Sequence, residues 1–446
     1  MRPLIPMDLT GGRRVDAINP LSLVVGRMVT QATEVGPGVS LVGPGWFEIS
    51  LPVPQFNSTE LAVFSLPSLP SGVKAPLLVV CHSFGVSHGD VLFNTTFFEE
   101  TQDRNWFMLA PLSRSPDGPG GGDINYGSAA SQEFTFEALQ YVLDNYPIDR
   151  ERIYAVGFSM GAAQASSYGV RHLDPRDGIF AALVAHTGSL DQTDTWLSAP
   201  PVRPIMETIF GDTPAAEPFP YRNASVLEID PMTGSVDPTG VNQIVNLLQT
   251  PIQLWWAPQD PEAYLVDQTT RLGTLLFDLQ APVVDFRPVF GVSDHLWSTL
   301  SETEVCDWLT PHSLSIPREG RVIADRDARW FFFDVEGIAP ESFGQFTFDV
   351  DLGNGRIGIT QSEGIDTVET NLARWNDGVA QPLPLNVVVE AVDQGDTLIL
   401  RNVTDTPITV LRDGVSQATG WLYDPVRLTL TITELATGLH SWNFLP

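Results

Sequence analysis

The stretch Tyr154-Ala155-Val156-Gly157-Phe158-Ser159-Met160-Gly161-Ala162 constrains this chain more than any other. Ile153 to Val156 is a short apolar run suited to a buried parallel strand, and Ala162 to Arg171, rich in Ala, Ser and Gln, suits a helix. The chain must reverse between them within a few residues. Glycines at 157 and 161 fit that turn, because a Cβ at either place would collide with the neighbouring strand or helix. The residue between them, Ser159, is then forced into a strained conformation that pushes its side chain out over the sheet edge. The helix that follows aims its first N–H groups and the positive end of its dipole at the same point, which favours an oxyanion there. A helical pattern precedes the strand, with Phe134, Ala138, Leu139, Tyr141 and Val142 at near-helical spacing and Pro147 closing it.

A serine hydroxyl is a poor nucleophile at neutral pH and needs a base within hydrogen-bond reach, itself held by a carboxylate. In a strand–turn–helix context of this kind the order along the chain is Ser, acid, His. His295, in Gly291-Val292-Ser293-Asp294-His295 just after the last predicted strand, is the best base. His172 and His186 come too early, His312 follows the closing helix, and His440 lies in the other predicted domain. Asp260 is the best acid: it follows the strand and turn Ile252 to Gln259, at the sheet end where ligands bind in α/β proteins. Its competing use is to cap a helix begun by Pro261. Asp191, after the preceding strand, is the runner-up. Two backbone N–H groups are needed for the oxyanion. One falls to Met160 and the other to Ser83 or Phe84, in the loop after the run Pro76 to Cys81.

Read in order, residues 1–70 are strand-rich, with alternating patterns at Gly45 to Leu51 and Glu60 to Leu66. Pro76 to Cys81 is a continuous apolar run, as expected of a strand covered on both faces. Trp106 to Pro111, Ile179 to Leu190, Ile252 to Ala257 and Val283 to Phe290 are further strand candidates. Leu112 to Ser131 is a Gly- and Pro-rich loop, facing substrate or solvent. Residues 191–250 resemble an insertion or lid, ending in a short helix near Val241 to Leu248, and Leu296 to Leu309 is the closing helix. Strands alternating with helices over 71–312 predict a doubly wound α/β sheet. From 315 to 446 the pattern changes: Phe346, Phe348, Val350 and Leu352 alternate with polar residues, Asn354-Gly355 marks a hairpin, and Val426, Leu428, Leu430 and Ile432 alternate again. This predicts a separate antiparallel β-sandwich.

The chain has 446 residues, too many for one ordinary core, and two domains are the default. Its net charge of −30 argues against nucleic-acid or anionic-membrane partners, whose phosphates the summed field would repel. Lys74 is the only lysine, a bias that fits salt adaptation or a GC-rich genome. Cys81 and Cys306 read as packed thiols; no disulfide framework or metal-ligand spacing is present. No stretch approaches the ~18 apolar residues of a membrane span. The N-terminus has no apolar core of the signal-peptide kind, so the expectation is a protein kept inside, or one exported and trimmed of its leader, with the reading leaning to the second.

Pro76 to Leu309 resembles the α/β-hydrolase superfamily. The stretches I-D-R-E-R-I-Y-A-V-G-F-S-M-G-A at 148–162, W-A-P-Q-D at 256–260 and S-D-H at 293–295 are similar to the branch that holds dienelactone hydrolases, feruloyl and polyhydroxyalkanoate esterases, cutinase-like polyester hydrolases and prolyl-oligopeptidase-type peptidases. Residue by residue the resemblance implies a triad of Ser159, Asp260 and His295, oxyanion donors at Phe84 and Met160, and no cofactor or metal. Cutinase-like polyester hydrolases also carry Met after the nucleophile and an aromatic residue on the oxyanion loop. Ala162 departs from the second Gly of many relatives, and the C-terminal disulfide of many cutinase-like enzymes has no counterpart. The resemblance implies a serine carboxylic-ester hydrolase. Phe158, Trp256 and Trp297, flanking the candidate triad, are the expected substrate-binding side chains. With Phe84 and Trp255, which also flank triad or oxyanion positions, and with an appended β-domain suited to substrate capture, they suggest a bulky or polymeric ester such as polyethylene terephthalate or a polyhydroxyalkanoate. The alternatives are a prolyl-oligopeptidase-like serine peptidase, or an inactive hydrolase fold that binds a polymer.

Overall fold

The computed structural model describes residues 14–16, 45–116, 123–236, 242–391, 393, 395–434 and 436–446. The expectation of a missing or trimmed leader falls on the first residues, outside those described. The described chain divides into two units, the second of which takes in 170–176 and 237–249 as well as 315–446.

The first unit is built on a nine-stranded sheet. Its strands are β1 (Arg14–Asp16), β2 (Gly45–Val53), β3 (Ser58–Leu66), β4 (Ala75–Cys81), β5 (Phe107–Pro111), β6 (Ile148–Phe158), β7 (Ala182–His186), β8 (Ile252–Trp256) and β9 (Val284–Pro288). The spatial order is β1-β2-β3-β5-β4-β6-β7-β8-β9. The hairpin β2–β3 and the pair β3–β5 are antiparallel, and from β5 to β9 every pair is parallel. This mixed, doubly wound order agrees with the α/β sheet expected from the alternating strands and helices. Every residue of β4, β5, β7 and β8 is buried, which is why these strands read as unbroken apolar runs rather than alternations. The edge strand β9 is only partly covered.

The helices of this unit are α1 (Val91–Asn94), α2 (Phe97–Asp103), α3 (Ala129–Asn145), α4 (Met160–Arg171), α5 (Gln192–Ser198), α6 (Arg203–Phe210), α7 (Pro218–Asn223), α8 (Ala263–Asp278) and α9 (Glu302–Leu309). Between β4 and β6 the strand order reverses direction, and Cys81 stands level with Gly157 in the register. The loops leaving these two strands therefore open onto one crevice, the place where α/β sheets bind ligands. The closing helix is shorter than the sequence pattern implied. Trp297–Thr299 forms one 3₁₀ turn, Leu300 is extended, and Ser301 caps α9 by accepting from the Glu304 N–H at 3.3 Å.

The second unit carries two sheets. In spatial order, the seven-stranded sheet runs Glu319–Ala324, Gly344–Asp351, Arg356–Glu363, Leu385–Ala391, Gly438–Leu445, Thr409–Arg412 and Val415–Ser416. The six-stranded sheet runs Ala328–Trp330, Phe333–Glu336, Thr367–Asn371, Thr397–Arg401, Thr429–Thr433 and Trp421–Asp424. Strict alternation of buried and half-buried residues marks Gly344–Asp351 and Leu385–Ala391. A ring cluster of Phe333, Phe346, Phe348 and Trp375 fills the interior. The expectation of wholly antiparallel sheets is corrected in each: Arg356–Ile359 pairs parallel with Asn386–Val389, and Thr367–Asn371 with Thr397–Arg401. Val426 and Leu428 also fall outside the strand predicted for them. The Asp424 carboxylate accepts from the Val426 and Arg427 N–H groups and holds a turn, Leu428 takes φ +53°, and the strand starts at Thr429. The predicted hairpin at Asn354-Gly355 is present, with Gly355 at φ +62°.

Asn246 ties separate segments of the second unit together. Its Nδ2 donates to the carbonyls of Val170 and Ile323, both at 2.8 Å, and its Oδ1 accepts from the Ile323 N–H. Arg171, at the end of α4, pairs with Asp325 at 2.6 Å, each side chain only 4% exposed. These contacts join the segments 170–176, 237–249 and 315–446 within the second unit.

Candidate active site

Ser159 sits at φ +58°, in the left-handed region that a non-glycine residue adopts under constraint. The constraint is visible on both sides. A Cβ on Gly157 would lie 2.1 Å from the Gly161 carbonyl oxygen, and one on Gly161 would lie 2.1 Å from the Cys81 carbonyl oxygen. The turn is tied down further by the Ser159 N–H donating to the His186 carbonyl at 2.9 Å. β6 runs directly into it and α4 starts at Met160, so the strand-to-helix reversal spans one residue.

The structure brings Ser159, His295 and Asp260 together. His295 Nε2 lies 2.9 Å from Ser159 Oγ, and His295 Nδ1 lies 2.8 Å from Asp260 Oδ2. The Asp260 side chain is 1% exposed and that of His295 is 20% exposed. The second carboxylate oxygen of Asp260 accepts from the Glu262 N–H at 2.9 Å, which fixes its plane. Asp260 does not cap α8; Glu262 holds that position, and its side chain caps nothing. The Phe158 ring lies between two imidazoles, with centroids 4.6 Å from His295 and 4.5 Å from His186.

Asp191 is employed elsewhere. Its Oδ1 accepts from the Asp194 N–H and its Oδ2 from the Ile229 N–H, capping α5 and pinning the segment after α7. Burial pushes its carboxyl up to about 7, with the backbone donors opposing.

Around the Ser159 hydroxyl lies a cavity of about 700 Å³. Phe84 and Met160 line it together with Ser159 and His295. Met160 opens α4, so its N–H has no acceptor within the helix. Among the described residues no backbone carbonyl accepts from the Phe84 N–H. The plane of the Ser83–Phe84 peptide is held from behind, because His82 Nδ1 lies 2.9 Å from the Ser83 carbonyl and Nε2 lies 2.9 Å from that of Leu112. Burial lowers the His82 pKa, with the Leu112 and Ser83 carbonyls opposing.

Of the three expected substrate-binding side chains, Phe158 lines the cavity and the two tryptophans do not. Trp297 is buried behind Phe158, with ring centroids 5.2 Å apart, and donates from Nε1 to Asp90 Oδ2 at 3.0 Å. Trp256 is buried edge-on to Phe286. The walls come instead from residues the sequence reading did not single out: Tyr126, Ser198 to Val202, Glu262 and Tyr264. Signals for them existed. Tyr126 lies in the Gly- and Pro-rich loop, Glu262 follows Asp260 by two positions, and Ser198 to Val202 belong to the inserted segment. That segment is seated by apolar contacts of Met206, Phe210 and Tyr221 with Ile124, Tyr126 and Met160. Among the described residues no cluster of three His, Cys, Asp or Glu could hold a metal ion, and no helix is long and apolar enough to cross a membrane. Both cysteines are free and buried.

No family model and no curated protein matches the chain. Solved structures do. A ferulic acid esterase is similar at 18% identity over 60% of this chain and 97% of its own, with TM-score 0.41. An S-formylglutathione hydrolase from Staphylococcus aureus is similar at 13% identity over 61% and 99%, with TM-score 0.43. A bacterial heroin esterase is similar at 19% identity over 60% and 83%, with TM-score 0.39.

Proposed function

We propose that this chain is a serine hydrolase of the α/β-hydrolase superfamily acting on carboxylic esters. One observation carries the reading: a continuous hydrogen-bonded chain from Asp260 through His295 to Ser159, whose hydroxyl stands on a strained turn and opens into a cavity. In the reaction Ser159 Oγ attacks the acyl carbon while His295 Nε2 takes its proton. Asp260 holds the imidazole in the tautomer that can accept it and stabilises the imidazolium formed. The N–H groups of Phe84 and Met160 receive the oxyanion, each worth about 3 kcal/mol of barrier, and the N-terminus of α4 adds its dipole. Collapse expels the alcohol, protonated by His295. A water then repeats the sequence on the acyl-serine and releases the acid.

The cavity of about 700 Å³ supports a bulky ester. A polymeric ester was suggested by Phe84, Phe158, Trp255, Trp256 and Trp297 together; Phe84 and Phe158 line the cavity and the three tryptophans do not, which supports bulky esters in general. The two sheets of 315–446, with their alternating buried positions, support reading that part as an appended β-sandwich. The test of the reaction is twofold. A fluorophosphonate should label the protein once, at Ser159, with labelling abolished in Ser159→Ala; persistent labelling would move the nucleophile. p-Nitrophenyl esters should be turned over and peptide anilides should not; the reverse would make the chain a peptidase.

A further inference from the structure

One charged side chain stands in the cavity wall with nothing assigned to it. Glu262 contributes the only carboxylate of the lining, and no arginine or lysine lines the cavity among the described residues. Glu262 is half-buried at the N-cap of α8, yet its side chain does not cap the helix. Among the described residues its carboxylate makes no ion pair and no hydrogen bond; only its backbone is engaged, the N–H donating to Asp260 Oδ1 and the carbonyl accepting from the Leu265 and Val266 N–H groups. A carboxylate brought into a cavity wall loses part of its hydration, and such a group is stabilised when a cation comes to it. The neighbouring lining is aromatic. Tyr126 and Tyr264 flank the same wall, and Phe84 lies against Tyr126 with ring centroids 6.0 Å apart. Both phenols are raised in pKa, first by burial and then by charges that include Glu262, so all three groups share one neighbourhood. Neither tyrosine can pair with the carboxylate as a cation would. Aromatic faces beside a lone carboxylate make a site for an ammonium group. The whole chain, at net charge −30, adds a field that concentrates cations and repels anions.

We infer that the cavity takes esters bearing a positively charged ammonium group, held by the Glu262 carboxylate against the rings of Tyr126 and Tyr264. This deepens the ester-hydrolase reading of Ser159 and rests on it. It also sets a preference that the apolar wall alone would reverse, since an uncharged group of the same shape costs nothing to desolvate.

The experiment compares isosteric pairs that differ by nitrogen for carbon. On the alcohol side the pair is benzoylcholine and 3,3-dimethylbutyl benzoate. On the acyl side it is the p-nitrophenyl esters of 4-(trimethylammonio)butanoic and 5,5-dimethylhexanoic acids. Measurements are made at ~0.15 M salt, where the Debye length of about 8 Å screens the distant charges. The full-length protein should favour the cationic member of at least one pair by about tenfold or more in kcat/KM. Glu262→Gln should bring that ratio down to within about twofold of unity or below. Both esters are read on the same variant, so a general loss of activity cancels. A protein that hydrolyses p-nitrophenyl acetate but prefers neither cationic ester overturns the inference while the hydrolase reading stands. A preference that survives Glu262→Gln overturns it as well. If p-nitrophenyl acetate is not turned over at all, the hydrolase reading fails, and calorimetric titration with benzyltrimethylammonium decides the site: binding lost in Glu262→Gln supports it, and no binding to the unmodified protein ends it.

Discussion

Asp260 and Asp191 are both aspartates just past a strand end of one sheet, and their oxygens have been given different work. Asp260 keeps one oxygen for His295 and one for the Glu262 N–H, while Asp191 spends both on the backbone of Asp194 and Ile229. Asp260→Asn therefore presents an amide to the imidazole and favours the wrong tautomer; kcat should fall by about 10⁴-fold with little change in folding. Asp191→Asn should leave turnover within a few-fold. It should cost about 1–3 kcal/mol in denaturant unfolding, because one backbone N–H then faces an amide NH₂. A ranking in the opposite sense would transfer the acid to Asp191.

The turn between β6 and α4 works as an element because three backbones meet there. Gly161→Ala would set a methyl 2.1 Å from the Cys81 carbonyl oxygen, which is backbone in a fully buried strand and cannot yield. Loss of both activity and soluble yield is the expected result, and an active, stable Gly161→Ala enzyme would mean that β4 and α4 are spaced more widely than described. At the end of β7, His186 is fully buried beneath Phe158, and neither ring nitrogen has a hydrogen-bond partner among the described residues. Burial, with a smaller push from His295, lowers its pKa from 6.5 to about 3. Above pH 6.5 both folded and unfolded forms are neutral here, and the full contribution to stability is present. As pH falls from 6.5 towards 3, only the unfolded chain takes up the proton and stability is lost. His186→Phe removes that loss. At pH 5 the variant should gain about 2 kcal/mol over the parent relative to their difference at pH 7.5, read from denaturant midpoints. Equal losses on acidification in both proteins would show that His186 is protonated in the fold.

At the scale of the molecule, the last two residues of α4, Val170 and Arg171, belong to the second unit, in which Arg171 pairs with Asp325 and Asn246 joins Val170 to Ile323. Asp325→Ala leaves the Arg171 guanidinium without this carboxylate at a site 4% exposed, and should lower stability by about 3–5 kcal/mol in denaturant or thermal unfolding. By the same argument a fragment ending at Leu314 loses Ile323 and Asp325 together. It should unfold at a lower temperature than the full chain, whereas an unchanged midpoint would show that residues up to 314 are self-sufficient. The described residues group into two units whose segments interleave along the chain.

The sequence alone determined what local sterics and periodicity dictate. Gly157, Ser159 and Gly161 admit few backbone paths, so the turn and its serine were legible. Unbroken apolar runs marked β4, β5, β7 and β8, because burial on both faces of a sheet leaves no polar alternation. The order serine, acid, histidine along the chain singled out Ser159 and His295 and left Asp260 ahead of Asp191 as the acid; the structure brings Asp260 to His295. What it could not reach were matters of which side chain fills which space. Whether Trp297 faces a substrate or Asp90 depends on the packing of α1, α2 and the 3₁₀ turn around it, residues some two hundred positions apart. That Tyr126, Val202 and Glu262 share one cavity depends on three loops meeting, and no periodicity couples them. The allotment of 170–176 to the second unit follows from Asn246 and Arg171 finding partners near 323–325, a pairing set by tertiary contact and carried by no local signal.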